Sequence, residues 1–240
     1  MSFWALSGFI NGITATLLGI FVYLKNKKSP INITYALFCC SIAVWGFSYF
    51  IWQISKDEIS ALFWCRALMA GAIFIPIFYL HWLFYLLKLT VQKRKILIFG
   101  YMFAFTFLIF DFTPLFVKSV SHKMWFSYWP NAGILYFPFL IIWCGFVIYG
   151  VYVIIQNLKS SFDIVRNQLK YILLASIAGW SGGATNYPLW FDINFPPIGN
   201  ILVSAHIPLL AYAIAKYQLM DINIVIKKGT VYTCLSFLIL

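Results

Sequence analysis

The sequence predicts an all-α polytopic membrane bundle of seven transmembrane helices, followed by a truncated eighth. Three observations carry that prediction. Apolar residues make up 63% of the chain, and the mean hydropathy is +0.89. Charged residues make up only 10%, against about 25% in a soluble domain. The apolar residues also gather into segments of roughly 20, the length a helix needs to cross the hydrocarbon core, and short polar loops separate them.

The first segment, 3–24, contains no charged side chain. It is expected to be a retained helix and not a cleaved leader, because Met1–Trp4 carries no basic residue and Lys25, Lys27 and Lys28 follow the apolar run. The remaining spans are expected at 33–52, 61–87, 96–112, 134–156, 171–190 and 198–217. Most of the loops between them are too short to fold independently. The exception is 113–133, whose Trp125, Phe126, Tyr128 and Trp129 suit the membrane interface; a lid over a ligand cavity is the alternative. After Tyr217 come Lys227, Lys228 and Gly229, then a fresh apolar run from Val231 to Leu240. A helix ending in mid-bilayer leaves carbonyls without partners, so 226–240 is expected to be a connector and the start of a further span of a longer protein, with 1–225 as one membrane domain.

Charge fixes the expected orientation. Lys25, Lys27 and Lys28 fall in the first loop, and Lys88, Lys93, Arg94 and Lys95 in the third. The fifth holds Lys159, Arg166 and Lys170, and Lys216, Lys227 and Lys228 follow the seventh span. The opposite side has only Lys56, Lys118 and Lys123. By the positive-inside rule the protein sits in the cell membrane with its N-terminus outside. The net charge of +11 is then a topology signal and an attraction to anionic lipid headgroups, and nucleic acid is not an expected partner.

The residues that carry chemistry are few. Arg66 lies about 8 Å inside the third span at helical rise; an intramembrane Arg faces a partner or a cavity. Asp111 and Asp192 are its expected ion-pair partners, with an anionic ligand as the alternative. His81 is read as an interhelical hydrogen-bonding residue, whereas His206, near the middle of the seventh span, is a candidate for ligand contact or protonation sensing. In the sixth span Ala175, Gly179, Gly182 and Asn186 share one helix face, and Gly179 and Gly183 match a small-xxx-small packing motif. Asn186, Tyr187, Asp192, Asn194, Asn200 and Ser204 are expected at one membrane level with Arg66, forming a polar pocket whose ligand-binding residues are Arg66, Asn186, Tyr187, Asn200 and His206. Cys39, Cys40, Cys65, Cys144 and Cys234 fall in or beside spans without metal or disulfide spacing. No cofactor, metal site or catalytic residue is expected, since phosphate-binding loops, zinc motifs and nucleophile elbows are missing. A retinal Schiff base fails for want of a mid-membrane lysine on the seventh helix.

The C-terminal third carries a resemblance. Asn167-Gln168-Leu169-Lys170-Tyr171, Asn186 and Pro188, Pro197-Ile198-Gly199-Asn200, and the closing stretch Ala211-Tyr212-Ala213-Ile214-Ala215-Lys216-Tyr217-Gln218-Leu219-Met220-Asp221-Ile222 together resemble the N-terminal seven-transmembrane sensor region of bacterial membrane histidine kinases. That resemblance implies a sensor module of a two-component system, coupled to cytoplasmic signalling domains if the chain is a fragment. The expected function is signal transduction, with no enzymatic activity in this chain because no phosphoacceptor-histidine or ATP-binding domain is present. Expected partners are membrane lipids, a small ligand or membrane signal, and a second copy as a homodimer. A small-molecule transporter or another multi-pass membrane protein is the alternative.

Overall fold

The computed structural model describes residues 2–222. The expected eighth span and most of its connector lie outside the described residues, as does Cys234. The described residues form seven α-helices: α1 (Phe3–Lys25), α2 (Pro30–Ile54), α3 (Glu58–Leu86), α4 (Arg94–Asp111), α5 (Tyr136–Ser160), α6 (Asp163–Ala184) and α7 (His206–Tyr217). Four of them, α1, α2, α3 and α5, are long and apolar enough to cross a membrane by length and composition. Charged residues in the terminal turns of α4 and α6, among them Arg94, Lys95, Asp163, Arg166 and Lys170, set those two apart, and α7 is short by itself, at 12 residues.

Helix starts follow local chemistry. Ser2 Oγ accepts from Ala5 N at 3.1 Å to cap α1, and Pro30 opens α2 at a position where its missing N–H costs nothing. Asp57 caps α3 by accepting from both Ser60 N and Ser60 Oγ at 2.8 Å. Those hydrogen bonds hold its carboxyl below the usual carboxylate range, and the cap lets α3 begin three residues before the apolar run expected at Ala61. At the other end of α1, Asn32 Nδ2 donates to the Val22 carbonyl at 2.9 Å, one of the four that the helix leaves without a partner.

α2 lies between α1 and α3, and these share the largest interfaces in the molecule. α5, α6 and α7 complete a ring by way of α3 on one side and α1 on the other, while α4 packs outside against α3. Phenylalanines fill the space between α4 and α5: Phe103 stacks on Phe139 at 5.6 Å and Phe107 lies 5.2 Å from it. The outward faces remain apolar, with Leu17, Met102, Ile109 and Ile148 each at least 65% exposed.

The segment after α4, expected as an irregular aromatic loop, is an antiparallel hairpin of β1 (Val117–Lys123) and β2 (Phe126–Ala132). Its turn has Met124 in the left-handed region at φ 53°, a place where Gly, Asn or Asp is the usual signal. The sixth and seventh spans also have other bounds than expected, the sixth beginning at Asp163, eight residues early. α6 stops at Ala184, two turns before Trp190, because the chain breaks into a 3-10 turn at Pro188–Phe191. α7 is extended backwards by a 3-10 stretch, Asn200–Ala205.

Candidate functional site

A cavity of about 80 Å3 lies in the middle of the ring of helices, several times the ~10–15 Å3 that admits one water. Its walls come from α2, α3, α5, α6 and α7 and from the segments on either side of the Pro188 turn; none comes from α1 or α4. Seven of the ten tryptophans line it. They pack mostly edge to face: Trp143 meets Trp180 at 5.3 Å and 86°, Trp180 meets Tyr79 at 5.3 Å and 80°, and Trp52 meets Trp129 at 4.8 Å. Tyr136 and Trp190 stack at 4.3 Å. Such arrangements suit the ring quadrupoles and hold the walls rigid.

Proline and tryptophan cooperate on one wall. Pro76, inside α3, has no N–H and so leaves the Ala72 carbonyl four residues earlier without its helical donor. Trp143 Nε1 on α5 supplies that donor at 2.9 Å. On the opposite wall glycines make the space. A Cβ at Gly179 would meet only His206 Cβ, at 3.9 Å, and one at Gly183 only Val203 Cγ2, at 3.9 Å. These two therefore act as openings into the cavity. The close α6–α7 approach expected of them is made instead by Gly182, whose Cβ would come within 2.5 Å of the Gly199 carbonyl.

Of the five residues expected to bind ligand, Asn186, Tyr187 and His206 line the cavity; Asn200 and Arg66 do not. Asn200 is fully buried behind the wall, in a relay that ties the bundle together. Ser7 Oγ donates to the Trp4 carbonyl at 2.7 Å, Asn200 Nδ2 donates to Ser7 Oγ at 2.7 Å, and Asn186 Nδ2 donates to Asn200 Oδ1 at 2.9 Å. Asn11 Nδ2 donates to the Asn200 carbonyl at 2.9 Å. Because the Trp4 carbonyl can only accept, the whole relay has one direction, and it leaves Asn186 Oδ1 as an acceptor. His206 Nδ1 meets the Val203 carbonyl, so that nitrogen carries the proton and Nε2 of the neutral ring is an acceptor.

Arg66 is the largest correction. It forms no ion pair with Asp111 or Asp192; Nη2 donates to the Val117 carbonyl of β1 at 3.1 Å. That carbonyl takes one Arg66 N–H, while Arg66 Nε stays buried without a hydrogen-bond partner among the described residues. Asp192 pairs instead with Lys123, at 2.9 Å, the ion pair found among the described residues. Asp111 is buried with neither carboxylate oxygen hydrogen-bonded to a described residue. Asp192 and Asn194 are exposed and Ser204 Oγ donates to the Ile201 carbonyl, so the expected convergence at one level breaks up.

Lys123 was not legible as a special residue, yet it is 7% exposed and clamps the hairpin over the cavity. Its Nζ donates to the carbonyls of Leu189 at 2.9 Å and Pro130 at 3.3 Å. Trp52 Nε1 donates to the Tyr128 carbonyl at 2.6 Å, and Trp129 of β2, with no exposed surface, completes the cavity wall. The hairpin is thus fastened from α2, α3 and the Pro188 turn. At the opposite end, Gln168 Nε2 on α6 donates to the Tyr217 carbonyl at 2.8 Å, and Tyr171 packs on Tyr212 and Tyr217 at 4.9 and 5.6 Å. The motif residues at the start of α6 and the end of α7 therefore form one clasp. His81 Nδ1 and Tyr101 OH lie 2.6 Å apart, joining α3 to α4. No group of three or more metal-ligating side chains converges among the described residues.

The family described as the N-terminal 7TM region of histidine kinase matches residues 8–223. No curated protein matches the chain.

Proposed function

This chain belongs to the family of N-terminal 7TM regions of histidine kinases, and on that premise we propose that it is the membrane-embedded input module of a signalling protein of that type, perceiving its stimulus in the aromatic cavity. The observation that carries this reading is the position of the cavity. It is enclosed by α2, α3, α5, α6 and α7, roofed by the clamped hairpin, and connected through α6 and α7 to the Gln168–Tyr217 clasp at the end of α7.

Seven crossings belong to this reading, and the lengths of the remaining elements support them. The 18 residues of α4 reach ~27 Å and the 22 of α6 ~33 Å. The 3-10 stretch of 6 residues and the 12 residues of α7 together reach about 30 Å, the thickness of the hydrocarbon core. The basic loops then lie on the cytoplasmic side and the N-terminus and hairpin outside. Occupancy of the cavity would bias two packings of the bundle. The 3-10 stretch beside it is the natural hinge, since its hydrogen-bond geometry is poorer than that of an α-helix, and Gly179 and Gly183 leave it room to move. The bundle transmits and does not catalyse.

A chimera tests this. The whole chain is joined to the phosphoacceptor and ATP-binding domains of another histidine kinase, and autophosphorylation is followed in membrane vesicles. Trp180→Ala and Asn186→Leu are expected to change the output at least threefold, while Gly145→Ala, at a glycine with no atom within 4 Å of its added Cβ, leaves it unchanged. Output indifferent to both cavity substitutions in a correctly inserted chimera overturns the proposal.

A further inference from the structure

The cavity also has a chemistry that narrows its occupant. No Asp, Glu, Lys or Arg is among the described residues that line it. An ion entering it would lose its hydration without gaining a counter-charge, and the attraction of ring faces for a cation recovers only part of that loss. An anion fares worse against the negative ring faces. The occupant is therefore uncharged. Broad aromatic walls, including Trp82, Trp143, Trp180 and Tyr187, suit a flat conjugated body.

Hydrogen-bonding capacity is left over in the same residues. Asn186 Oδ1, His206 Nε2, Tyr49 OH, Trp82 Nε1 and Trp129 Nε1 are buried with no hydrogen-bond partner among the described residues, and all five belong to the lining. The direction of the Asn186–Asn200–Ser7 relay makes Asn186 Oδ1 an acceptor, and the Val203 contact makes His206 Nε2 one as well. The two indole N–H groups are donors, and the Tyr49 hydroxyl can serve either way. Buried polar groups without partners are costly, and a ligand that brings both a donor and an acceptor relieves them. We infer that the cavity binds an uncharged, planar ring system that carries a hydrogen-bond donor and an acceptor on its edge. This deepens the input-module reading and rests on it for its physiological meaning.

The test uses the full chain in lipid nanodiscs and three probes of one shape: neutral 2-naphthol, anionic 2-naphthoate and the cationic 2-naphthyltrimethylammonium. Binding is followed by equilibrium dialysis and by quenching of tryptophan fluorescence, with empty nanodiscs subtracting lipid partition. 2-Naphthol is expected to bind saturably and at least tenfold more tightly than either charged probe. Gly179→Leu fills the space beside His206 and is expected to weaken 2-naphthol at least tenfold; Gly183→Val does the same from the next turn and guards against a folding defect in the first. Gly145→Leu, outside the cavity, leaves binding unchanged. Equal or tighter binding of the cation or the anion overturns the inference, as does saturable 2-naphthol binding that survives both filling substitutions. Selective 2-naphthol binding together with a chimera indifferent to cavity substitutions keeps the ligand class and removes the input role, whereas a responsive chimera with no preference among the probes does the reverse.

Discussion

At the level of single residues, the bundle is held together by polar groups that solve backbone problems inside an apolar setting. Pro76 leaves the Ala72 carbonyl without a donor and Trp143 supplies one at 2.9 Å. In hydrocarbon no water can take its place. Trp143→Phe keeps the ring and removes the N–H, and is expected to lower stability by about 1–3 kcal/mol in reversible unfolding from mixed micelles. In a Pro76→Ala background the helix regains its own donor, so the same substitution becomes close to neutral; an equal loss in both backgrounds contradicts the pairing. The proline was visible in the sequence, and so was the carbonyl it strands. Its partner was not, because Trp143 lies on another helix 71 residues away. Arg66 teaches the converse. Its depth in the span demanded a partner, and the hydrogen bond it makes goes to a backbone carbonyl of β1 and not to a carboxylate, although its charge still acts on Asp111.

At the level of elements, close approach is decided by glycines whose meaning depends on what faces them. Gly8 and Gly12 of α1 stand against Gly46 of α2, where an added Cβ would come within 2.6 Å of Gly12 N and 2.9 Å of the Gly8 carbonyl. Apolar attraction does not drive helices together in lipid, so this backbone contact matters more than the same contact in water. Gly46→Val is expected to cost about 1–3 kcal/mol through overpacking in the same unfolding measurement, while Gly145→Ala, with open space around it, leaves the midpoint unchanged. An equal effect of the two would show that the contact is not tight. The Gly8–Gly12 spacing was as legible as that of Gly179 and Gly183, yet only the former pair packs. The motif specifies permission for approach, and the partner surface decides whether approach or a cavity results. The hairpin escaped the reading for a different reason: its turn, Met124-Trp125, lacks the glycine or asparagine that marks most tight turns, and bulges break the two-residue alternation of its strands.

At the level of the whole molecule, the hairpin and the Lys123 clamp make one end of the bundle a closed cap, and the Gln168–Tyr217 clasp makes the other a coupled exit. The proposed orientation puts the cap outside. In a cysteine-free background, Trp125→Cys in the hairpin turn is expected to react with a membrane-impermeant thiol reagent applied to intact spheroplasts, while Val91→Cys, in the loop before α4, reacts only after the membrane is opened. Both side chains replaced are exposed, at 57% and 87%, so reversed labelling refutes the orientation and cannot be blamed on burial. Hydropathy and the placement of charge by themselves determined that this is a helical membrane protein and where its first five helices run within a few residues, because crossing a bilayer imposes length and apolarity on each segment separately; the motif residues of the C-terminal third carried the family resemblance. Asn186, Tyr187 and His206 were read from the sequence as candidate ligand-binding residues, since a polar group in an apolar span needs a reason to be there, and all three line the cavity. Only the tertiary structure decided that Asn200 is a strut and Arg66 a fastener, and that tryptophans from four helices, the Pro188 turn and a strand enclose one cavity. Enclosure is a property of surfaces brought together from distant parts of the chain, and no local period or composition encodes which faces will meet.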